Sequence, residues 1–413
     1  MMAGLQLTFV NFKKDAFITV ESNKQIADRF FIIRQGNVRI IKELEVVQEE
    51  GGNILGPGDF FGVVSTMSSH SHIESVQALT DVTLIAVFKD QFPQLITNST
   101  AIAMKIIMQF SKRMRYLDEA LTRITLKNTA AEDPSHLFNV ANYYAKLKQF
   151  NQAYYAYSRY RKYCPKGQDF DKAGDIMTKI ARFALSVKMD FKPEEITRKY
   201  PKDAMIFSEC EPGDELYIIQ KGSVKITKIV DNKEVLLAVL KQSDIFGEMA
   251  LLESKPRSAS AIAHEDCVVM AVNRANFERM VSTQPQIIAK LTTLLAERIW
   301  LIYKQLANTL IDDPVGRAYD ALLIQLEKNR MDVYDTRAYT FEFGPKELAN
   351  MMGLAPNEVS ELTAKLRENK NIQIQDNKFF VQHIMEIVKE VESHRRMQKR
   401  ERALRDAKTS LRR

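Results

Sequence analysis

The sequence has few cysteines and no long apolar run. Its three cysteines, Cys164, Cys210 and Cys267, are an odd number, and their spacing fits neither a metal knuckle nor a redox pair. We therefore expect small thiols that are buried or half-buried. No apolar stretch approaches the roughly 20 residues that span a bilayer, and no basic segment followed by an apolar one opens the chain. These absences favour a cytoplasmic protein with no membrane partner.

The net charge is concentrated at the C-terminus. The 413 residues carry a formal charge of +7, and the segment 395–413 alone carries nine Lys or Arg against two acids. The remainder is therefore neutral by count, so any attraction to nucleic acid must come from this tail or from local clusters. The tail is read either as the solvated end of a helix or as an arm that binds a polyanion.

A long internal repeat organises the first three quarters of the chain. The segment FFIIRQGNVRI at 30–40 matches LYIIQKGSVKI at 216–226, and GDFFG at 58–62 matches SDIFG at 243–247. Each copy has short β-branched and aromatic runs punctuated by Gly and Asp, and a helical segment follows. The pattern predicts two mostly-β units, each with helices after it.

The second copy contains the segment FGEMALLESKPRSAS at 246–260, followed by AIA. Together with LYIIQKGSVKI, this order of elements resembles the cyclic-nucleotide-binding domain over about 100 residues. That resemblance implies an eight-stranded β jelly roll and a phosphate-binding cassette in this segment. The alternative without a ligand is a surface turn in which Arg257 forms a salt bridge and Glu248 is an ordinary charge at a helix N-terminus.

The resemblance gives each cassette residue type a chemical role. Arg257 offers a planar fork of donors that fits two oxygens of a cyclic phosphate, which an ammonium group does not. Glu248 accepts a hydrogen bond from the ribose 2′-hydroxyl, and Gly247 lets the backbone approach the sugar. We expect a helical turn over Met249–Leu252, with its first amides directed at the phosphate. The ligand residues that the resemblance implies in this cassette are Gly247, Glu248, Met249, Arg257, Ser258 and Ala259.

The first copy lacks the two charged groups. At an offset of 185, Val63 stands opposite Glu248 and His72 opposite Arg257. We therefore expect a fold without its ligand. The rival interpretation is that His70 and His72 bind another anion or a metal.

The segment between the copies is rich in tyrosine. Its large and small residues over Leu137–Pro165 follow the spacing of one tetratricopeptide repeat, with two helices broken near 148–151, although Tyr160 stands where a small residue is usual. A single repeat of this kind does not bury its own apolar face. The segment is expected to be a wedge packed between domains, with binding of a protein partner as the alternative.

A long amphipathic helix follows the second copy. From Gln286 to Leu310, apolar residues recur at intervals of three and four. In regulators of the catabolite activator protein type, this helix pairs with its symmetry mate, which implies a homodimer; the stripe could instead pack on 101–127. The same resemblance puts Ile302 and Tyr303 at the usual Thr-Ser that contacts adenine. Tyr303 is therefore expected to stack on the base or to donate to it through its hydroxyl, with cAMP favoured over cGMP.

The last quarter resembles the winged helix-turn-helix of the same family. The pattern over 341–381 predicts a helix over Pro345–Met352, a turn at Gly353, a helix over Pro356–Asn369 and two short strands. The resemblance would place base-reading residues early in the second helix, where Glu358 and Glu361 repel a polyanion. The residues left as candidates for nucleic acid are Lys346, Asn357, Lys365 and Arg367.

Together these patterns predict an α+β chain with two β jelly-roll domains joined by helices and a C-terminal winged helix-turn-helix. The expected segments are 1–127 (degenerate domain), 128–185 (helical linker), 186–311 (nucleotide-binding domain and long helix), 312–393 (winged helix) and 394–413 (basic tail). No nucleophile–base pair, metal cluster or phosphate-binding loop of the Walker type is present, which argues against an enzyme and against a metal. The predicted function is a cyclic-nucleotide-responsive transcription regulator. The alternatives are a signalling adaptor whose winged helix does not bind DNA, and a purely structural protein.

Overall fold

The computed structural model describes residues 8–21, 25–42, 52–126, 133–184, 191, 195–230, 233–352, 354, 356–369 and 372–410. The chain divides into two compact units. The first unit comprises 1–40, 53–116 and 128–297, and the second comprises 41–52, 117–127 and 298–413.

The first β domain is a sandwich of two antiparallel sheets near the N-terminus. Its strands are β1 (Thr8–Phe12), β2 (Phe17–Thr19), β3 (Arg29–Gln35), β4 (Val38–Ile41), β5 (Ile54–Leu55), β6 (Phe60–Phe61), β7 (Ser75–Ala78) and β8 (Val82–Phe88). A short helix, α1 (Val63–Ser68), follows β6. The sheet orders are β1-β8-β3-β6 and β2-β7-β4-β5.

The second β domain repeats this arrangement. Its strands are β9 (Thr197–Tyr200), β10 (Met205–Phe207), β11 (Glu215–Lys221), β12 (Val224–Val230), β13 (Lys233–Leu240), β14 (Ile245–Phe246), β15 (Ser260–Ala263) and β16 (Cys267–Asn273), with α7 (Glu248–Glu253) after β14. The sheet orders are β9-β16-β11-β14 and β10-β15-β12-β13. Strand for strand, these are the orders of the first domain, so the predicted duplication is confirmed.

Local sequence explains why the two sandwiches agree in detail. Strands β8 and β16 share one alternation of buried and half-buried positions, as period-2 side chains with one face on a core require. The register also shifts at the same point in both copies, between Ile33 and Gln35 and between Ile219 and Lys221. The predicted α+β class with two β sandwiches is therefore confirmed.

Helices connect and follow the two sandwiches. The helices between the β domains are α2 (Phe92–Asn98), α3 (Thr100–Leu126), α4 (Leu137–Lys146), α5 (Phe150–Tyr163) and α6 (Phe170–Ile180). Two more helices, α8 (Arg274–Thr283) and α9 (Pro285–Thr309), follow β16. Helices α2 and α8, which occupy equivalent places in the two copies, are in contact. The first unit therefore holds both copies together.

The tyrosine-rich segment packs on the second β domain. The side chains of Tyr144 and Tyr157 are fully buried in a cluster that includes Met205 and Ile262 of that domain. Gln152 also donates to the Asp203 carbonyl over 2.9 Å. The segment therefore packs on a neighbouring domain, and its place as a wedge between two domains stays a prediction; the sequence missed α6, the third helix of the segment.

Tyr160, the departure from the repeat pattern, has a structural reason. Its ring is buried, and its hydroxyl accepts a hydrogen bond from the Asp169 amide over 3.2 Å. The large side chain therefore closes the turn between α5 and α6. A small residue there would leave this turn unsupported.

The apolar stripe of α9 is largely buried within a single chain. Ile288, Leu291, Leu295, Ile299 and Leu306 are each at most 1% exposed. Ile302 and Leu310, which the periodicity also placed on the stripe, are only half-buried. Because the stripe is covered already, its burial requires no symmetry mate.

The second unit contains a helical layer and a small sheet. Its elements, besides the end of α9, are α10 (Pro314–Lys328), β17 (Tyr339–Thr340), α11 (Pro345–Met351), α12 (Pro356–Arg367), β18 (Ile372–Gln375), β19 (Lys378–Val381) and α13 (Ile384–Ser410). The sheet order is β17-β19-β18. The predicted helices and strands are present in the predicted order, while the turn residue Gly353 lies outside the described residues.

Helix α13 crosses the expected boundary at 393/394 without a break. Arg395 donates to the Asp320 carboxylate over 2.7 Å, and Gln398 donates to the Leu310 carbonyl over 3.1 Å. At least the first part of the basic tail is therefore a helix that packs on its own unit.

Two further expectations concern cysteines and membranes. None of the three cysteines forms a disulfide; Cys210 and Cys267 are buried and Cys164 is half-buried, as expected. Burial raises the pKa of the Cys267 thiol to about 11. Within the described ranges, no helix is both long and apolar enough to span a bilayer.

Candidate functional site

The cassette of the second β domain is built around a left-handed glycine. Gly247 has φ of 77° and caps the N-terminus of α7, whose residues from Glu248 to Leu252 are all buried. A positive φ strains a residue that has a Cβ, which is why glycine occupies this turn. Ser254, also left-handed, caps the C-terminus of the helix, and the chain then returns to place Arg257 beside the glycine.

Arg257 is buried, with only 4% of its surface exposed. Its Nη1 donates to the Gly247 carbonyl over 2.5 Å, and its Nη2 donates to the Glu215 carbonyl over 2.8 Å. The buried Nε has no hydrogen-bond partner among the described residues. A guanidinium carries five N–H donors, so these two bonds leave donors for an anionic ligand. A buried guanidinium without such a ligand is costly.

An aromatic platform fixes the plane of this guanidinium. The Cζ of Arg257 lies 4.3 Å from the ring centroid of Phe207 and 5.8 Å from that of Tyr217. Phe207, Tyr217 and Phe246 in turn pack against one another, with centroids 5.3 to 5.8 Å apart. Planar stacking of this kind needs the flat guanidinium of arginine, which a lysine ammonium does not offer. The strands β10, β11 and β14 thus orient the group before any ligand arrives.

Two glycines leave room for the guanidinium. A Cβ on Gly247 would lie 2.8 Å from Nη1 of Arg257. A Cβ on Gly213 would overlap Nε and Cζ and would lie 2.8 Å from Nη2. Gly213 precedes β11, so the loop before that strand and the loop after β14 enclose Arg257 together.

The other predicted cassette residues lie where the sequence placed them. Glu248 is the first residue of α7 and is 2% exposed, and Met249 beside it is buried. Ser258 is half-buried and Ala259 is buried, directly after Arg257. The structure therefore brings Gly247, Glu248 and Arg257 into one buried turn, as predicted, and their contact with a ligand stays a prediction.

An acidic residue and the tyrosine-rich segment support the same loop. The Arg257 amide donates to the Glu211 carbonyl over 2.8 Å. The Glu211 carboxylate accepts hydrogen bonds from the Tyr155 hydroxyl (3.1 Å) and from the Ser208 amide (3.1 Å). Burial raises the pKa of Glu211, while the charges of Arg159 and Arg257 oppose that rise. Helix α5 therefore touches the wall of the site.

The first β domain has the same turn with different chemistry. Gly62 has φ of 79° and caps the N-terminus of α1, and His72 Cε1 lies 3.6 Å from the position that a Cβ on Gly62 would take. Val63, in the place of Glu248, is buried. Strand pairing puts Thr19 in the place of Phe207, because Thr19 pairs with Val76 as Phe207 pairs with Ala261. Carboxylate, guanidinium and stacking ring are thus all replaced.

His72 does not supply the missing charge. Burial lowers the pKa of its imidazole below the ordinary value, although Glu74 and Asp28 act in the opposite direction. A neutral imidazole is a weak counterpart for a phosphate. No group of three or more His, Cys, Asp or Glu suited to a metal occurs among the residues the structure describes.

The residue predicted to contact the base belongs to the second unit. Tyr303 lies on α9 and is buried, and Lys42 Nζ stands 5.9 Å from its ring centroid. Ile302 beside it is half-buried. The role of Tyr303 at the base stays a prediction.

The candidate nucleic-acid residues lie on α11 and α12. Lys346, Lys365 and Arg367 are exposed, and the side chain of Asn357 lies outside what the structure describes. Lys365 donates to the Glu361 carboxylate over 2.8 Å, one helical turn away. This pair partly neutralises a cation that the sequence assigned to DNA.

Several residues of the site were missed by sequence reasoning. Phe207, Gly213 and Glu215 contact the guanidinium from other strands, and no local motif marks them. One signal was present for Gly213, because the first copy, without an arginine, has Ala27 at the equivalent position. Comparison of the two copies at every pocket position would have found it.

Comparison with known proteins agrees with the duplication. The model of the cyclic nucleotide-binding domain family matches residues 9–99 and 197–284, which correspond to the two β domains. Both β domains are therefore similar in sequence to a cyclic nucleotide-binding domain.

Curated relatives include two bacterial regulators. The CRP-like cAMP-activated global transcriptional regulator of Mycobacterium tuberculosis is 28% identical over 186 residues, covering 43% of this chain and 83% of that protein. The cAMP-activated global transcriptional regulator CRP of Salmonella typhimurium is 27% identical over 176 residues, covering 42% and 83%. Among solved structures, the Thermus thermophilus catabolite activator protein is 26% identical and covers 50% of this chain and 98% of its own, with a TM-score of 0.28.

Proposed function

We propose that the second β domain binds a cyclic mononucleotide, with cAMP favoured over cGMP, and that the protein is a transcription regulator controlled by this ligand. Arg257 holds the cyclic phosphate, and Ser258 and the backbone of the Gly247 turn complete the phosphate pocket. Glu248 accepts the ribose 2′-hydroxyl, and Tyr303 stacks on the base. The first β domain binds no nucleotide.

The observation that carries this proposal is the guanidinium of Arg257. It is buried, stacked on Phe207 and enclosed by two glycines, yet its Nε has no partner within the described structure. A buried cation with an open donor fits a monoanion that has two exocyclic oxygens. The relatives named above are described as cAMP-activated, which supports the choice of ligand.

Calorimetric titration with cAMP and with cGMP tests the ligand. The intact protein should bind one nucleotide per chain. Arg257→Ala removes two charge-assisted bonds, each worth roughly 1.5–3 kcal/mol, so affinity should fall at least about 100-fold. His72→Ala is the matched control, because it alters the equivalent position of the first domain and should leave binding unchanged. No heat of binding from the unaltered protein with either nucleotide would refute the proposal.

For regulation, the second unit is proposed to be a winged helix-turn-helix. Lys346, Asn357, Lys365 and Arg367 are the proposed contacts to double-stranded DNA, with the basic tail as a further source of charge. Binding should weaken steeply with salt, because phosphate contacts release counterions. Ligand binding would shift α9 by favouring one of two packings. Selection of bound sequences from a random duplex library, with and without cAMP, measures whether the protein binds DNA and whether the ligand changes that binding.

One observation favours a second candidate, a cyclic-nucleotide-binding adaptor that acts through protein partners. The first turn of α12 carries the acidic Glu358. Lys365, a cation that should face the duplex, forms an ion pair with Glu361. An adaptor would bind cAMP and retain no duplex at any salt concentration. A homodimer through α9 belongs to the first candidate only, and sedimentation velocity of the unaltered protein decides it.

A further inference from the structure

Helix α3, which follows the first β domain, contacts the cassette of the second. Ser111 and Arg115 stand four residues apart on α3, hence on one face of that helix. Ser111 Oγ donates to Oε1 of Glu253 over 2.8 Å, and Arg115 Nε donates to Oε2 over 3.0 Å. Glu253 is the last residue of α7. Both oxygens of this cassette carboxylate are therefore bound by residues outside its own domain.

The same arginine also reaches the other end of the cassette loop. Its Nη1 donates to the Pro256 carbonyl over 3.2 Å, and Pro256 directly precedes Arg257. The side chains of Arg115 and Glu253 are 3% and 5% exposed, and Ser111 is fully buried. One guanidinium thus bridges the end of α7 and the residue before the proposed phosphate ligand.

Stability alone is a poor explanation of this bridge. Buried ion pairs stabilise a fold no better than apolar residues of similar volume, and their best-attested use is to fix register. What Arg115 fixes is the segment between Glu253 and Arg257. The first domain has no equivalent carboxylate for such a bridge, because Ser68 stands in the place of Glu253 at the offset of 185.

We propose that Arg115 on α3, the helix that follows the first β domain, is a positioning residue for the ligand site of the second. It holds the loop 254–257 so that Arg257 is set for the cyclic phosphate. The first domain, without a ligand of its own, serves as an intramolecular scaffold for the cassette. This inference rests on the proposed function. It gives the first copy, which lacks the carboxylate and the guanidinium of the cassette, a role in ligand binding by the second.

Titration of the full chain with cAMP tests it in three variants: Arg115→Met, Glu253→Gln and the two combined. Each single change should weaken binding about tenfold, the equivalent of one charge-assisted hydrogen bond. The double variant should bind no more weakly than Arg115→Met alone, because that change already breaks the links to both Glu253 and Pro256. That coupling in nucleotide affinity distinguishes positioning from a general loss of stability.

The control is Arg113→Met on the same helix. Arg113 pairs with Glu74 inside the first domain (3.4 Å), so its removal should leave affinity within about twofold. If Arg115→Met does not fold, Ser111→Ala removes one hydrogen bond from the same carboxylate and should weaken binding about threefold. Unchanged affinity in a folded Arg115→Met variant, or in Ser111→Ala, would overturn the inference alone. Absence of binding by the unaltered protein would overturn the proposed function with it.

Discussion

Replacing Gly213 by alanine perturbs the site without removing any polar group. The added Cβ would overlap Nε and Cζ of Arg257 and lie 2.8 Å from Nη2, well inside ordinary contact distance. The backbone at Gly213 does not have a positive φ, so the effect falls on the guanidinium and not on the chain. Arg257 must therefore move away from its place over Phe207.

The size of the effect follows from what that movement breaks. A shift of about 1 Å would lengthen the bonds of Arg257 to the Gly247 and Glu215 carbonyls. Overpacking of this kind costs about 1–3 kcal/mol, which corresponds to a loss of affinity of roughly 5- to 150-fold. Calorimetric titration of Gly213→Ala with cAMP measures this directly.

The matched control for Gly213→Ala is the reverse change in the first domain. Ala27→Gly alters the equivalent loop, next to His72 and not next to an arginine, and should leave nucleotide affinity unchanged. Wild-type affinity in a folded Gly213→Ala protein would show that Arg257 is not held as described. The reasoning about the pocket would then be wrong.

Three further changes test other parts of the molecule. Burial lowers the pKa of His72, so the unfolded chain binds the proton of this imidazole more tightly, and the free energy of unfolding should fall as pH drops below 6.5. His72→Gln should reduce that fall, measured by urea titrations at about pH 7.5 and about pH 5. An unchanged pH dependence of the free energy of unfolding would contradict this prediction. Tyr155→Phe removes the hydroxyl bonded to Glu211 and should lower the free energy of unfolding by about 1–3 kcal/mol in the same assay, whereas no loss would mean that the α5 contact is dispensable. Glu361→Gln releases Lys365 and should strengthen retention of duplex DNA at low salt, while no retention by either protein would favour the adaptor.

The candidate site was predictable where its residues are neighbours in the chain. Gly247, Glu248 and Arg257 lie within eleven positions of one another, and the types at those positions carry the chemistry. The helices and strands of the second unit were also predictable, because their apolar periodicity and their turns are local. The use of that unit, whether for DNA or for protein, was not.

Residues that converge from distant strands were beyond the sequence. Phe207 and Tyr217 look like any core aromatic until the strand register places them under the guanidinium. The stripe of α9 illustrates the same limit, since periodicity gives a buried face but does not say whether the same chain or a second copy covers it.

By itself, the sequence determined the duplication, the cassette and the loss of its charges in the first copy, because each depends on residue type at a fixed spacing. Only the tertiary structure decided that α3 of the first domain binds Glu253 and Pro256 of the second. Ser111 and Arg115 lie some 140 positions from those partners, and nothing in their local pattern distinguishes them from other polar residues on a long helix. A buried ion pair is a property of the packed surfaces that exclude water around it, so it exists only once the two domains are folded together.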